Sequence, residues 1–206
     1  PSPPFTAYQS APVTPTAPAA TPAPTPAAAP EPKLFDRVAG DTHYIGQFTR
    51  NDDDTVSGSG RVEWKNGDVY EGPLTHSRRE GVGEIRWAGG QRYKGDWAAD
   101  RATGRGAMTF ANGNHYEGLV LDGQPEGEGK LTYASGDVYS GQIHQGLPHG
   151  KGSYVWMSGQ RYEGDWVNDK PQGVGKMRFA NGNQYGLPEL DNRFFPFNFG
   201  YFILRF

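Results

Sequence analysis

Between residues 43 and 185, apolar and polar side chains alternate in short runs broken by glycine. In the stretch 81–97, Gly83, Ile85 and Trp87 share one parity, while Glu84 and Arg86 take the other. Past Gly89-Gly90, Tyr93, Gly95 and Trp97 alternate with Arg92, Lys94 and Asp96. Period-two alternation around a glycine turn predicts a β-hairpin with one apolar and one solvated face. A lone hairpin is marginal in water, so neighbours are needed to bury that face.

The pattern repeats every 23 residues: Tyr70, Tyr93, Tyr116, Tyr139, Tyr162 and Tyr185 keep the step without a slip. Gly72, Gly95, Gly118, Gly141 and Gly164 stand two residues after the first five. Gly-x-Gly pairs keep the same step at Gly58/Gly60, Gly81/Gly83, Gly104/Gly106, Gly127/Gly129, Gly150/Gly152 and Gly173/Gly175. An aromatic follows each pair (Trp64, Trp87, Phe110, Tyr133, Trp156, Phe179), and then a turn glycine. An earlier copy opens at Tyr44-Ile45-Gly46 but carries extra residues around Asn51–Asp54. These glycines are expected to leave room for the rings of neighbouring strands. A three-residue hairpin loop would place both aromatics of a hairpin on one face, and a two-residue Asn-Gly turn would separate them; the single aromatic face favours the former.

Tyr-x-Gly, Gly-x-Gly and aromatic-x-x-Gly at this step resemble the membrane occupation and recognition nexus (MORN) repeat, over roughly residues 43–185. The expected fold is all-β: an elongated single-layer antiparallel sheet, a solenoid of stacked hairpins. Six hairpins give about twelve strands, roughly 55–60 Å of ribbon at the usual strand spacing. The resemblance implies a non-catalytic scaffold, sometimes a homodimer, that holds a protein or peptide partner near membranes.

A longer step of three repeats lies on top. Asn66–Gly72 recurs as Ser135–Gly141, and Arg92–Trp97 as Arg161–Trp166. Trp97 and Trp166 thus stand at equivalent points. With Trp64, Trp87, Tyr93, Tyr116, Tyr139, Trp156 and Tyr162 they form the expected partner-binding face, although an aromatic stripe at strand spacing is also what packing alone would produce.

Composition divides the 206 residues into three parts. Residues 1–33 are rich in Pro, Ala and Thr and are expected to be a disordered, semi-rigid linker. It could serve as a reach across a cell envelope or off a membrane, or be dispensable. The first residue is Pro rather than Met, so a segment upstream is expected to have been removed. Residues 34–185 hold the array, opened by a charged lead-in whose Leu34, Phe35 and Val38 can cover its first edge. Residues 186–206 carry more than half of the phenylalanines and read as a cap, a docking peptide or a foreign end.

Mean hydropathy is −0.74, thin for a globular core but suited to repeats that touch only their neighbours. There is no cysteine, hence no disulfide framework or thiolate metal site. The net charge of −3 and the lack of a basic stripe weigh against nucleic acid and against adhesion to anionic lipid. Direct lipid binding remains the second functional class, and glycan binding the third. His43, His76, His115, His144 and His149 occupy different repeat positions and suggest no metal site. Asp52–Asp54 lacks the ligand alternation of a calcium loop. Gly58-Ser59-Gly60 lacks the Lys-Ser/Thr of a phosphate loop. Ser77-Arg78-Arg79 reads as surface. No nucleophile–base set stands apart from the repeat, so neither an enzyme nor a cofactor is expected.

Overall fold

A computed structural model describes the backbone of residues 35–190 and side chains to residue 186. Fifteen strands form one antiparallel sheet, and there is no helix among the described residues. The strands are β1 (Phe35–Ala39), β2 (Thr42–Arg50), β3 (Val56–Trp64), β4 (Val69–Thr75), β5 (Arg78–Arg79), β6 (Gly81–Arg86), β7 (Arg92–Ala98) and β8 (Arg101–Thr109). They continue as β9 (His115–Leu121), β10 (Gln124–Thr132), β11 (Val138–His144), β12 (Leu147–Val155), β13 (Arg161–Val167), β14 (Lys170–Arg178) and β15 (Gln184–Leu190). Each lies beside the next in sequence; only β5 leaves the path, because β5 and β6 are one strand interrupted at Glu80.

Two kinds of turn alternate. The first is a three-residue loop: Trp64 N donates to Asp68 O at 3.0 Å and Gly67 N to Trp64 O at 2.8 Å, with Gly67 at φ +93°. This is a type I turn closed by a glycine bulge, and the same bonds recur at Trp87, Phe110, Tyr133, Trp156 and Phe179. Val62 then pairs with Tyr70, which sets Trp64 and Tyr70 on one face. The second kind is a two-residue turn with both residues at positive φ, such as Ala99 (48°) and Asp100 (73°) between paired Ala98 and Arg101. This is the primed geometry that matches strand twist. Ala99-Asp100 and His76-Ser77 lack the Asn-Gly that usually marks it, and Asn168-Asp169 keeps only the Asn.

Neighbouring repeats are also tied at both ends of the strands. At one end Asp100 N donates to Arg79 O (3.0 Å), Gly123 N to Ala102 O, Gly146 N to Pro125 O and Asp169 N to Pro148 O (each 2.9 Å). At the other, Ala88 N donates to the Asp68 carboxylate (2.9 Å), Ala134 N to the Asn114 side chain (3.0 Å) and Met157 N to the Asp137 carboxylate (2.8 Å).

At its ends the sheet departs from the expectation. It holds more than twelve strands, because Phe35–Ala39 pairs along β2 as a strand in its own right. It also runs past residue 185, since Gly186 and Leu187 pair with Lys176 and Gly175. The linker assigned to 1–33 and the tail beyond 190 lie outside the described residues.

Candidate functional site

The core is built from one contact repeated five times. Tyr70, Tyr93, Tyr116, Tyr139 and Tyr162 are fully buried. Each ring lies across two glycines: the one two residues on in its own strand and the second of the Gly-x-Gly pair in the next. Tyr93 covers Gly95 and Gly106, and a Cβ added at either would fall inside 3.0 Å of the ring or its hydroxyl. Tyr70 does the same over Gly72 and Gly83, Tyr116 over Gly118 and Gly129, and Tyr162 over Gly164 and Gly175; Tyr139 lies over Gly141 and Gly152. Each hydroxyl donates to the carbonyl three residues on: Tyr70 to Pro73 (3.0 Å), Tyr93 to Asp96 (2.9 Å), Tyr116 to Leu119 (2.5 Å), Tyr139 to Gln142 (2.6 Å) and Tyr162 to Asp165 (3.3 Å). Burial pushes the Tyr93 hydroxyl up to about 12, so it remains a donor at any working pH.

The first glycine of each pair has a different task from the second. The sequence pattern assigns both to making room for rings, but Gly81, Gly104, Gly127, Gly150 and Gly173 sit away from the tyrosines, at positive φ. At Gly104 (φ +66°) the register of β7 against β8 shifts, and the freed Arg105 N–H donates to the Asp96 carboxylate at 2.9 Å. The glycine therefore serves a bulge whose loose donor the Tyr93+3 side chain satisfies.

The nine aromatic residues expected to meet a partner divide into two groups. Tyr93, Tyr116, Tyr139 and Tyr162 are the buried locks just described. Trp97 and Trp166 are only 4 % and 2 % exposed. Trp97 stands edge-on between Tyr70 and Tyr93 (ring centroids 5.7 and 5.3 Å away), and its indole N–H donates to Gly83 O at 3.2 Å. Trp166 repeats this between Tyr139 and Tyr162 (5.2 and 5.4 Å), donating to Gly152 O at 3.2 Å. The expectation that these six rings face a partner is therefore corrected. The single layer covers its apolar face by laying rings on its own glycine backbone, and no second layer is needed.

Trp64, Trp87 and Trp156 form the other group. They are half-buried, packed against the core from its margin, together with Phe110 and Phe179. All five precede the three-residue turns, so they line up along one margin of the sheet, at five of the six equivalent positions. Directly after four of them come Ala88, Ala111, Met157 and Ala180, all exposed. Trp64 borders an open cleft of about 420 Å³ with Asp41, Lys65 and Asn66. At this row's position Tyr133 is the buried exception, 5 % exposed and set against Tyr154 (5.6 Å). Phe110 and Phe179 share the repeat position of Trp87 and lie at the same margin, although only the tryptophans of that position were expected to meet a partner.

Among the five turn segments 87–91, 110–114, 133–137, 156–160 and 179–183, Asp137 is the one ionisable carboxyl, and no Lys or Arg occurs. Asp137 is 8 % exposed, and its carboxylate accepts from Tyr154 Oη (3.0 Å), Ser135 Oγ (2.9 Å) and Met157 N (2.8 Å). Charges gather instead on the solvated face, where Glu84 meets Arg86 (2.7 Å) and Arg92 (2.8 Å), and Arg61 meets Glu63 (2.6 Å) and Glu71 (2.9 Å).

The basic spot at 77–79 is a packing device. Arg79 lies 4.1 Å over the Trp97 ring and pairs with Asp100 at 2.5 Å. The histidines are less scattered than their positions suggest. The second kind of turn brings His144 and His149 to 5.7 Å, with Glu126 accepting from His144 at 2.9 Å, beside a second open cleft of about 420 Å³. No group of three or more potential metal ligands occurs among the described residues.

A family model of the MORN repeat matches four consecutive units, residues 93–115, 116–138, 139–161 and 162–184. No curated protein matches the chain. Among solved structures, the TCP domain of Drosophila melanogaster SAS-4 (dCPAP), in complex with a proline-rich motif of Ana2 (dSTIL), is 14% identical at a TM-score of 0.42, covering 81% of this chain and 97% of that one. The TCP10 domain of Danio rerio CPAP, in complex with a STIL peptide, is 16% identical at a TM-score of 0.36, covering 75% and 83%.

Proposed function

The chain is built of MORN repeats, four of them consecutive over residues 93–184, and on that premise we propose that it is a non-catalytic scaffold binding a linear peptide of a partner protein along the row Trp64, Trp87, Phe110, Trp156 and Phe179. The observation that carries this reading is the combination of partly exposed rings at five of six positions of a 23-residue step with a margin that, from Trp87 onward, is almost free of charge. Aromatic side chains contribute large contact area at little cost in conformational entropy. Repeated at a fixed step, they suit a partner with its own regular period. The buried tyrosines and Trp97 and Trp166 supply rigidity beneath the row.

A lipid surface fits less well. The net charge is −3, and the turn margin offers no cation beyond Lys65.

The test is a library of linear peptides screened against the chain and against Trp87→Ala, with vesicles of anionic lipid in parallel. Peptides that bind the parent and lose about tenfold or more on Trp87→Ala support the reading. Peptide binding indifferent to Trp87 and Trp156, or flotation with vesicles that persists at high salt, would contradict it.

A further inference from the structure

Resting on the peptide-binding reading above, we propose that the row takes an uncharged, proline-rich peptide in the polyproline II conformation, with every third residue facing one repeat position, seated on Trp64, Trp87, Phe110, Trp156 and Phe179 and passing over buried Tyr133.

The pitch of the array selects this conformation. One repeat contributes two neighbouring strands, so equivalent side chains recur about every 9.6 Å along the row, taking a strand spacing of ~4.8 Å. A polyproline II helix has three residues per turn and rises ~3.1 Å per residue, so it returns the same face every ~9.3 Å. The mismatch is ~0.3 Å per repeat, about 1.5 Å over the five steps from Trp64 to Phe179. An α-helix returns a face after seven residues, ~10.5 Å, and drifts by about 4.5 Å over the same five steps. An extended strand alternates faces, so its third residue points away from the row, and its even repeats of ~6.6 and ~13 Å match nothing.

Hydrogen bonding points the same way. Strand addition needs a free ladder of backbone donors and acceptors, but along this margin many of those groups are engaged. Trp64, Trp87, Phe110, Tyr133, Trp156 and Phe179 donate their N–H groups across the turns, and their carbonyls accept from the turn glycines. The amides of Ala88, Ala134 and Met157 are held by Asp68, Asn114 and Asp137. A polyproline II ligand has no internal hydrogen bonds, carries few donors and leaves its carbonyls to water, so it asks nothing of those groups.

Charge complementarity completes the argument. From Trp87 to Asn183 the turn margin holds one carboxylate, buried and bonded; at the Trp64 end of the row the turn carries Lys65 and Asp68. A charged peptide would lose hydration without gaining a counter-ion there. Proline rings have no charge to desolvate, stack on aromatic edges and arrive already ordered.

The probe is a dodecaproline capped at both ends, titrated calorimetrically into the full chain. A capped Gly/Ser peptide of equal length and a capped, uncharged amphipathic helical peptide serve as comparators. The expected result is binding of dodecaproline alone, little changed between low and high salt, with affinity rising as capped oligoprolines lengthen in steps of three. Trp87→Ala is expected to weaken it at least tenfold. Ala88→Glu, which alters an exposed margin residue and leaves the core intact, is expected to weaken it while circular dichroism stays that of the parent. Absence of dodecaproline binding while the library yields other Trp87-dependent peptides overturns the conformation and leaves the scaffold reading standing. Absence of every peptide overturns both. Equal binding by the helical comparator, or no effect of Ala88→Glu, also overturns the proposal.

Discussion

The Tyr93 ring lies on Gly106 of the adjacent strand so closely that a single added methyl there has no room, while the Tyr93 hydroxyl is anchored to Asp96 O at 2.9 Å. The ring is buried on every side and cannot retreat. We expect Gly106→Ala to cost about 2–3 kcal/mol, as overpacking of a rigid site does. Gly89→Ala, in open space and at an ordinary φ, should be close to neutral. Thermal unfolding of the two variants measures the difference, and equal melting points would refute the ring-on-glycine account.

Tyr116→Phe keeps the ring and removes the hydroxyl that donates to Leu119 O. The carbonyl then loses a partner inside the core, and a loss of about 1–2 kcal/mol is expected. Chemical denaturation reads this as a lower midpoint at unchanged slope.

Stability should depend on pH through Asp169. Burial holds its carboxyl up at about 7 against an ordinary 3.8, opposed by a hydrogen bond from Tyr133. Between these values the folded chain binds a proton that the unfolded chain does not. Stability therefore falls as pH rises from about 4 to about 7 and levels off above. Asp169→Asn should flatten that slope and gain about 2 kcal/mol at pH 8. Asn also tolerates the positive φ of 66° at this turn position. Melting curves of both proteins at pH 5 and pH 8 check it, and an identical pH dependence in the variant would exclude the role of Asp169.

Removing residues 93–115 deletes one repeat in phase. Each strand contacts its neighbours in sequence, and the two kinds of turn-to-turn bond recur at the same step. The shortened chain should fold as a β-array with a lower melting temperature. Loss of β circular dichroism would indicate a closed core instead.

Much of the fold was legible because Tyr70 through Tyr185 keep one step, and a step fixes which residues share a face. The three-residue turn followed from the same parity, since Trp64 and Tyr70 had to share a side. Coverage of that face was not legible. Alternation says that Trp97 points inward, but its burial depends on how closely the Tyr70 and Tyr93 rings settle on glycine backbone, which no spacing records. The turn at Ala99-Asp100 carries no glycine and gave no signal. The bulge at Gly104 was hidden because its glycine stands two residues from Gly106, which serves another purpose. The shared position of Trp64, Trp87, Phe110, Tyr133, Trp156 and Phe179 is legible from spacing, but that Tyr133 is buried while the other five keep partial exposure is not.

The chain's five tryptophans allow one decisive reading. With 5-fluorotryptophan incorporated throughout and each fluorine resonance assigned by single Trp→Phe variants, capped dodecaproline can be titrated while all five positions are observed at once. The account predicts that Trp64, Trp87 and Trp156 shift with ligand, and that buried Trp97 and Trp166 stay in place. Movement of Trp97 and Trp166 with the other three still would contradict it, and so would five unmoved resonances.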